Sequence, residues 1–214
     1  MAAARGSRGA APGASSTAHH ARGAVPGALE ATPPLATSAV VANFVLFQLG
    51  WFACILGAAK GWPWAGTAAV GVVVAWHLLR APQPLEELKL VAAATGIGLV
   101  WENALMYAGL VRFVSGYAFD ALAPVWILAM WALFATVLNV SLRWLKGRWL
   151  LAVLLGAVAG PASYYAGVRL GAAVLPQPVA ALIALSVGWA VLTPMLLLAA
   201  QRWNGMRAAE PPNV

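Results

Sequence analysis

From Ala39 onward the chain alternates long apolar runs with short polar or Gly/Pro breaks. Six runs stand out, at about Ala39–Ala59, Trp64–Leu79, Leu88–Val111, Leu122–Leu142, Trp149–Ala173 and Val179–Ala200. Each suits a helix approaching the ~20 residues that cross a hydrocarbon core, and the second is the shortest. Lys60-Gly61-Trp62-Pro63, Arg80-Ala81-Pro82-Gln83-Pro84, Ser115-Gly116, Lys146-Gly147 and Pro176-Gln177-Pro178 separate them with turn chemistry. The pattern predicts an all-α, polytopic membrane protein: a bundle of six transmembrane helices over residues 38–201. Ahead of it, residues 1–37 are rich in Ala, Gly, Ser and Pro and lack the apolar stretch of a secretory signal peptide. They are expected to form a disordered tail, and residues 202–214 a short cytoplasmic one.

Composition agrees with this reading. The chain is 62% hydrophobic and 9% charged, against roughly 45–50% and 25% in soluble domains. Its net charge of +7 does not predict nucleic-acid binding, because the thirteen Lys and Arg are scattered singly between apolar runs. That scatter is a topology signal. With a cytoplasmic amino terminus, the inner side holds ten cations: Arg5, Arg8, Arg22, Arg80, Lys89, Arg143, Lys146, Arg148, Arg202 and Arg207. The outer side holds three, Lys60, Arg112 and Arg169. Both termini are therefore expected in the cytoplasm. Cys54 is the only cysteine, so neither an intrachain disulfide nor a cysteine metal site is expected.

The chemistry-bearing candidate is Glu102, read as the one acid of six that sits inside a long apolar run. An ionisable residue at membrane depth is a functional candidate that needs a partner. Thr95, Gly98, Glu102 and Gly109 share one helical face, which points Glu102 toward other helices, with Asn103 about a quarter-turn away. The fifth predicted helix is the expected contact, since Gly156/Gly160 and Gly167/Gly171 permit close approach. It also carries Ser163, Tyr164, Tyr165 and Arg169. In the expected topology Glu102 and Tyr164 lie roughly 21 and 22 Å from the inner ends of their helices. A cluster of Glu102, Asn103, Tyr164, Tyr165 and Arg169 follows. It either neutralises a buried charge through Arg169 or handles a substrate or proton.

A second polar group, Asn43, Asn139 and Arg143, is expected near the inner leaflet as helix-to-helix and headgroup contacts. His77 reads as structural or incidental. The chain lacks a His-Glu-x-x-His run, a Gly-x-Ser-x-Gly elbow and a phosphate-binding Gly-Lys-Ser/Thr loop, which argues against metalloprotease, serine hydrolase and nucleotide-driven activities. No metal and no cofactor are expected.

Three blocks carry a resemblance. They are Asn43-Phe44 with Phe47-Gln48-Leu49-Gly50-Trp51-Phe52-Ala53-Cys54; Leu138-Asn139 with Ser141-Leu142-Arg143-Trp144-Leu145 and Gly147-Arg148; and Gly160-Pro161 with Ser163-Tyr164, Ala166-Gly167 and Arg169-Leu170-Gly171-Ala172. Over about residues 40–200 the chain resembles a family of small multi-pass bacterial inner-membrane proteins of unknown function. The resemblance implies a genomic setting beside enzymes that modify membrane fatty acids, and it implies no residue role.

The expected function is to bind or move a lipid-like or small amphipathic molecule in support of membrane lipid modification. Its expected partners are membrane lipids and lipid-modifying enzymes. The alternatives are a non-catalytic scaffold for such enzymes, using the basic loop at Arg143, Lys146 and Arg148, and an intramembrane enzyme using Glu102. The last is the weakest, since no nucleophile or cofactor accompanies the acid.

Overall fold

Proline and glycine punctuate the helices. In the computed structural model, which describes residues 35–207, six α-helices follow one another: α1 Thr37–Ala59, α2 Pro63–Arg80, α3 Pro84–Tyr107, α4 Val125–Leu138, α5 Trp149–Arg169 and α6 Pro178–Arg202. Pro63, Pro84 and Pro178 open α2, α3 and α6, where the missing N–H costs nothing and the fixed φ suits a first turn. Gly61, Gly109 and Gly171 take positive φ just past the ends of α1, α3 and α5. At each, two reversed hydrogen bonds close the last turn; at α5 they are Ala172 N–H to Gly167 O at 2.9 Å and Gly171 N–H to Val168 O at 3.0 Å. This is the Schellman ending, which a residue with a Cβ adopts only with strain. The chain thus folds as three helical hairpins, α1–α2, α3–α4 and α5–α6.

The all-α expectation holds apart from a two-residue antiparallel pairing of β1 (Arg112–Phe113) with β2 (Ala173–Val174). Four helices, α1, α3, α5 and α6, are long and apolar enough to cross a membrane. The helix bounds differ most from expectation in three helices. α5, expected to run to Ala173, ends at Arg169, because Gly171 stops it. α3 begins and ends four residues early, because Pro84 starts it and Gly109 stops it. The fourth helix, expected over Leu122–Leu142, is α-helical only over Val125–Leu138. Pro124 precedes its first turn, and beyond Leu138 the chain turns, with Leu142 N–H on Val137 O at 2.7 Å. A short 3₁₀ turn, Arg143–Leu145, then leads to α5. Apart from residues 35–37 and 202–207, the expected tails lie outside the described residues.

α4 is the central element. It packs against α1, α2, α3 and α6, and it buries Trp126, Ile127, Trp131, Leu133 and the run Ala135–Leu138. A helix apolar all round belongs inside. The loops gather at the two ends of the helices. At one end Ser115 Oγ donates to Ala58 O at 2.8 Å, Trp126 Nε1 donates to Ser115 O at 2.9 Å, and β1 meets β2. At the other, Gln83 N–H donates to Gly205 O at 3.0 Å, which ties the start of α3 to the chain leaving α6.

Candidate functional site: a buried carboxyl at the end of an apolar cavity

Glu102 is fully buried, on the inward face of α3. Its Oε1 accepts a hydrogen bond from Trp131 Nε1 of α4 at 2.8 Å and a short one from the Tyr164 hydroxyl of α5. Its Oε2 is equally buried and has no partner among the described residues. The indoles of Trp101 and Trp189 neighbour the Tyr164 hydroxyl, but their N–H groups complete no hydrogen bond.

Glycines set how closely the helices around this carboxyl approach. Trp131 and Trp189 stack with centroids 5.0 Å apart and planes at 19°. A Cβ on Gly98 would stand 2.2 Å from Trp131 Cγ, and one on Gly160 would stand 2.2 Å from Trp189 Cγ. The order Gly98, Trp131, Trp189, Gly160 therefore joins α3, α4, α6 and α5 in one layer. Trp101 is seated in the same way on Gly188, where a Cβ would lie 2.0 Å from Cη2. The glycines of α5 serve α6 and α1 rather than α3: a Cβ on Gly156 would lie 2.2 Å from Trp189 O, while one on Gly167 would lie 3.4 Å from Ile55 Cδ1 and one on Gly171, just past the end of α5, 3.7 Å from Ala59 Cβ. The expected pairing of the α5 glycines with the third helix is thereby corrected. α5 reaches Glu102 through Tyr164, because its glycines are taken up by α6 and α1.

Beside Glu102 a cavity of about 450 Å³ lies between α1 and α5, with α4 and α6 behind it. That volume falls within the ~300–1,000 Å³ common among small-molecule sites. Phe47, Trp51, Phe134, Trp189 and Leu155 make its wall mostly apolar, and Gln48, Ser141, Ser163, Thr193, Tyr164 and Glu102 supply its polar atoms. Among the described residues, no Lys, Arg or His lines it. Trp51 Nε1 donates to Ser163 Oγ at 3.0 Å, a bond that ties α1 to α5 at one margin.

Of the expected cluster, the structure brings together Glu102 and Tyr164. Asn103 turns away; its Nδ2 donates to Leu99 O at 2.6 Å and its Oδ1 accepts from Ala123 N–H at 3.1 Å, so it holds the loop before α4. Tyr165 and Arg169 lie one turn apart on the exposed side of α5. Among the described residues no ion pair joins Arg169 to Glu102. Depth along α5 puts Arg169 within reach, but its direction around the helix takes it elsewhere. Trp131, Trp189 and Trp101 escape a reading of the sequence, because an indole in an apolar run looks like any other core residue.

The second polar group divides into two sets. Asn43 Nδ2 donates to Thr136 O at 3.1 Å, and its Oδ1 lies 2.6 Å from the Ser141 hydroxyl, which locks α1 to α4. Asn139 instead joins a network around Glu87, a second fully buried acid. Asn139 Nδ2 donates to Glu87 Oε1 at 2.5 Å and to Trp203 O at 3.0 Å. His77 Nε2 lies 2.8 Å from Glu87 Oε2. Lys146 Nζ makes a short bond to Asn139 Oδ1 and donates to Ala200 O at 3.0 Å. Burial pulls the Lys146 pKa down to about 8; Glu87 opposes that shift, and Arg143 and Arg207 add to it. Glu102 is therefore not the only acid inside, and His77 has a defined partner. This network ties α2, α3, α6 and the α4–α5 connection at one end of the helices. Among the described residues, no three His, Cys, Asp or Glu side chains converge as metal ligands would.

No curated protein and no solved structure matches the chain. One family does, described as a protein of unknown function, over residues 40–195. That range takes in Glu102, Tyr164, the indoles of Trp101, Trp131 and Trp189, and both halves of the second polar group. With most of its 214 residues matched, the chain belongs to the DUF2878 family of proteins of unknown function.

Proposed function

We propose that this is a six-span bacterial inner-membrane protein that binds a lipid-like or small amphipathic molecule in the cavity beside Glu102. The observation that carries the reading is the cavity itself: about 450 Å³ of mostly apolar space whose lining includes a buried carboxyl with one oxygen unpartnered among the described residues. The apolar wall suits a hydrocarbon body, and the carboxyl with Tyr164 suits a polar head. In this reading α4, too short at 14 residues to span ~30 Å alone, crosses while wrapped by the other helices. Both termini lie in the cytoplasm, where cations are in excess. The chain serves membrane lipid modification, with membrane lipids and lipid-modifying enzymes as its partners.

Filling the cavity tests this. Ala159 lines it from α5 and is exposed to it, so Ala159→Phe should occupy the space without disturbing the core. Mass spectrometry of extracts from the purified protein should find a stoichiometric amphipathic molecule on the wild type and at least tenfold less on the variant. Equal amounts on both would sink the reading.

A further inference from the structure

We infer that the polar head this cavity receives is a protonated amine, with Glu102 Oε2 as its acceptor. The inference rests on the reading that the cavity binds an amphipathic molecule, and it names the class.

Three observations lead to it. Glu102 has no exposed surface, and every protein hydrogen bond it accepts falls on Oε1. Oε2 is left buried and without a partner among the described residues, and Glu102 is one of the residues that line the cavity. A buried acceptor without a partner forfeits the water it gave up, so a ligand donating there gains more than a donor would at the surface. Second, the protein does not supply the counter-charge. The cavity wall holds no Lys, Arg or His among the described residues, and the cation expected to serve, Arg169, points outward. A buried carboxylate is ordinarily paired, and here the place for the pair is the cavity. Third, the absence of cations from the wall disfavours the opposite ligand. A phosphate, sulfate or carboxylate head would meet Glu102 with nothing to offset the repulsion. An ammonium meets a carboxylate oxygen in a charge-assisted hydrogen bond, while Phe47, Trp51 and Phe134 hold its hydrocarbon body.

The test uses the full-length protein in detergent micelles with three probes of equal chain length: octylamine, 1-octanol and octanoate at pH 7. Native mass spectrometry reads the fraction bound to the protein after the micelle is stripped. Octylamine is expected to bind at least tenfold tighter than 1-octanol and octanoate. Glu102→Gln should remove that preference. If 1-octanol or octanoate binds as well as octylamine to the wild type, the amine assignment is overturned while the cavity reading stands. A Glu102→Gln variant that keeps the preference overturns the amine assignment in the same way. Failure of all three probes to bind overturns both. The wild-type comparison alone decides the matter if Glu102→Gln does not fold.

Discussion

Among the described residues, Glu102 has one oxygen held twice and the other not at all, so its neighbours on Oε1 fix where Oε2 points. Trp131 is the firmer of those neighbours, since its ring is itself fixed between Gly98 and Trp189. Trp131→Phe keeps most of the ring and deletes the N–H. It should destabilise the protein by about 1–3 kcal/mol, the range for leaving a buried acceptor short of a donor, measured by equilibrium unfolding in mixed micelles. A loss below about 0.5 kcal/mol would show that the bond contributes little beyond its cost. At this scale the sequence carries half the site. Counting rise along the helices places Glu102 and Tyr164 at one depth, and they do meet. Rise says nothing about direction around the axis, so it also admits Arg169. The stripe Gly156, Gly160, Tyr164, Gly167, at steps of four, four and three, marks the inward face of α5 and is legible in the sequence. It excludes Tyr165 and Arg169.

Among the helices, contact is governed by missing side chains. α5 and α6 approach so closely at Gly156 that a methyl group would strike the Trp189 carbonyl. Gly156→Ala should therefore cost about 1–3 kcal/mol, as overpacking does elsewhere. Gly71→Ala on α2 opens onto free space and should be neutral, or stabilise by up to about 1 kcal/mol through helix propensity. Melting curves of the two variants side by side separate packing from propensity, and equal losses would contradict the packing account. All six helices are legible from apolar runs, because Lys60-Gly61, Pro63, Pro84 and Pro178 stand where helices end and begin; Gly109 and Gly171, expected inside the third and fifth helices, end them instead. The fourth reads too long because Leu122 and Val140–Leu142 are as apolar as its core. What stops it is Pro124 at one end. At the other, Asn139 and Ser141 are drawn to partners on other helices, information that no local window holds.

For the molecule as a whole, the tie at Glu87 links more chain segments than any other polar group described. Its lysine makes that tie sensitive to alkali. Lys146 titrates at about 8 in the fold against an ordinary 10.5, so the folded state gives up this proton first. Between about pH 8 and 10.5 unfolding then takes up a proton, and stability from this group rises with pH; below 8 both states hold the proton and the contribution is level. The melting temperature of the wild type should climb from pH 8 to 10 relative to Lys146→Met, with the two curves parallel below pH 8. A wild type that falls with pH relative to the variant would reverse the sign and refute the assignment. The network is hard to see in the sequence because Glu87 stands near a proline-rich break and resembles a solvated helix start. Pro84 followed by Glu86 and Glu87 is nonetheless a sound helix-opening signature. Burial comes from the segment after α6, where a Cβ on Gly205 would press on Glu87 Cγ at 2.7 Å.

The stacked indoles of Trp131 and Trp189 have an optical consequence. Two nearly parallel chromophores 5.0 Å apart share their excited states, so their near-ultraviolet circular dichroism depends on the angle between them. One of the pair is bonded to Glu102 and the other lines the cavity. The protein thus carries a built-in reporter beside the carboxyl, and occupancy there is readable in solution without a label.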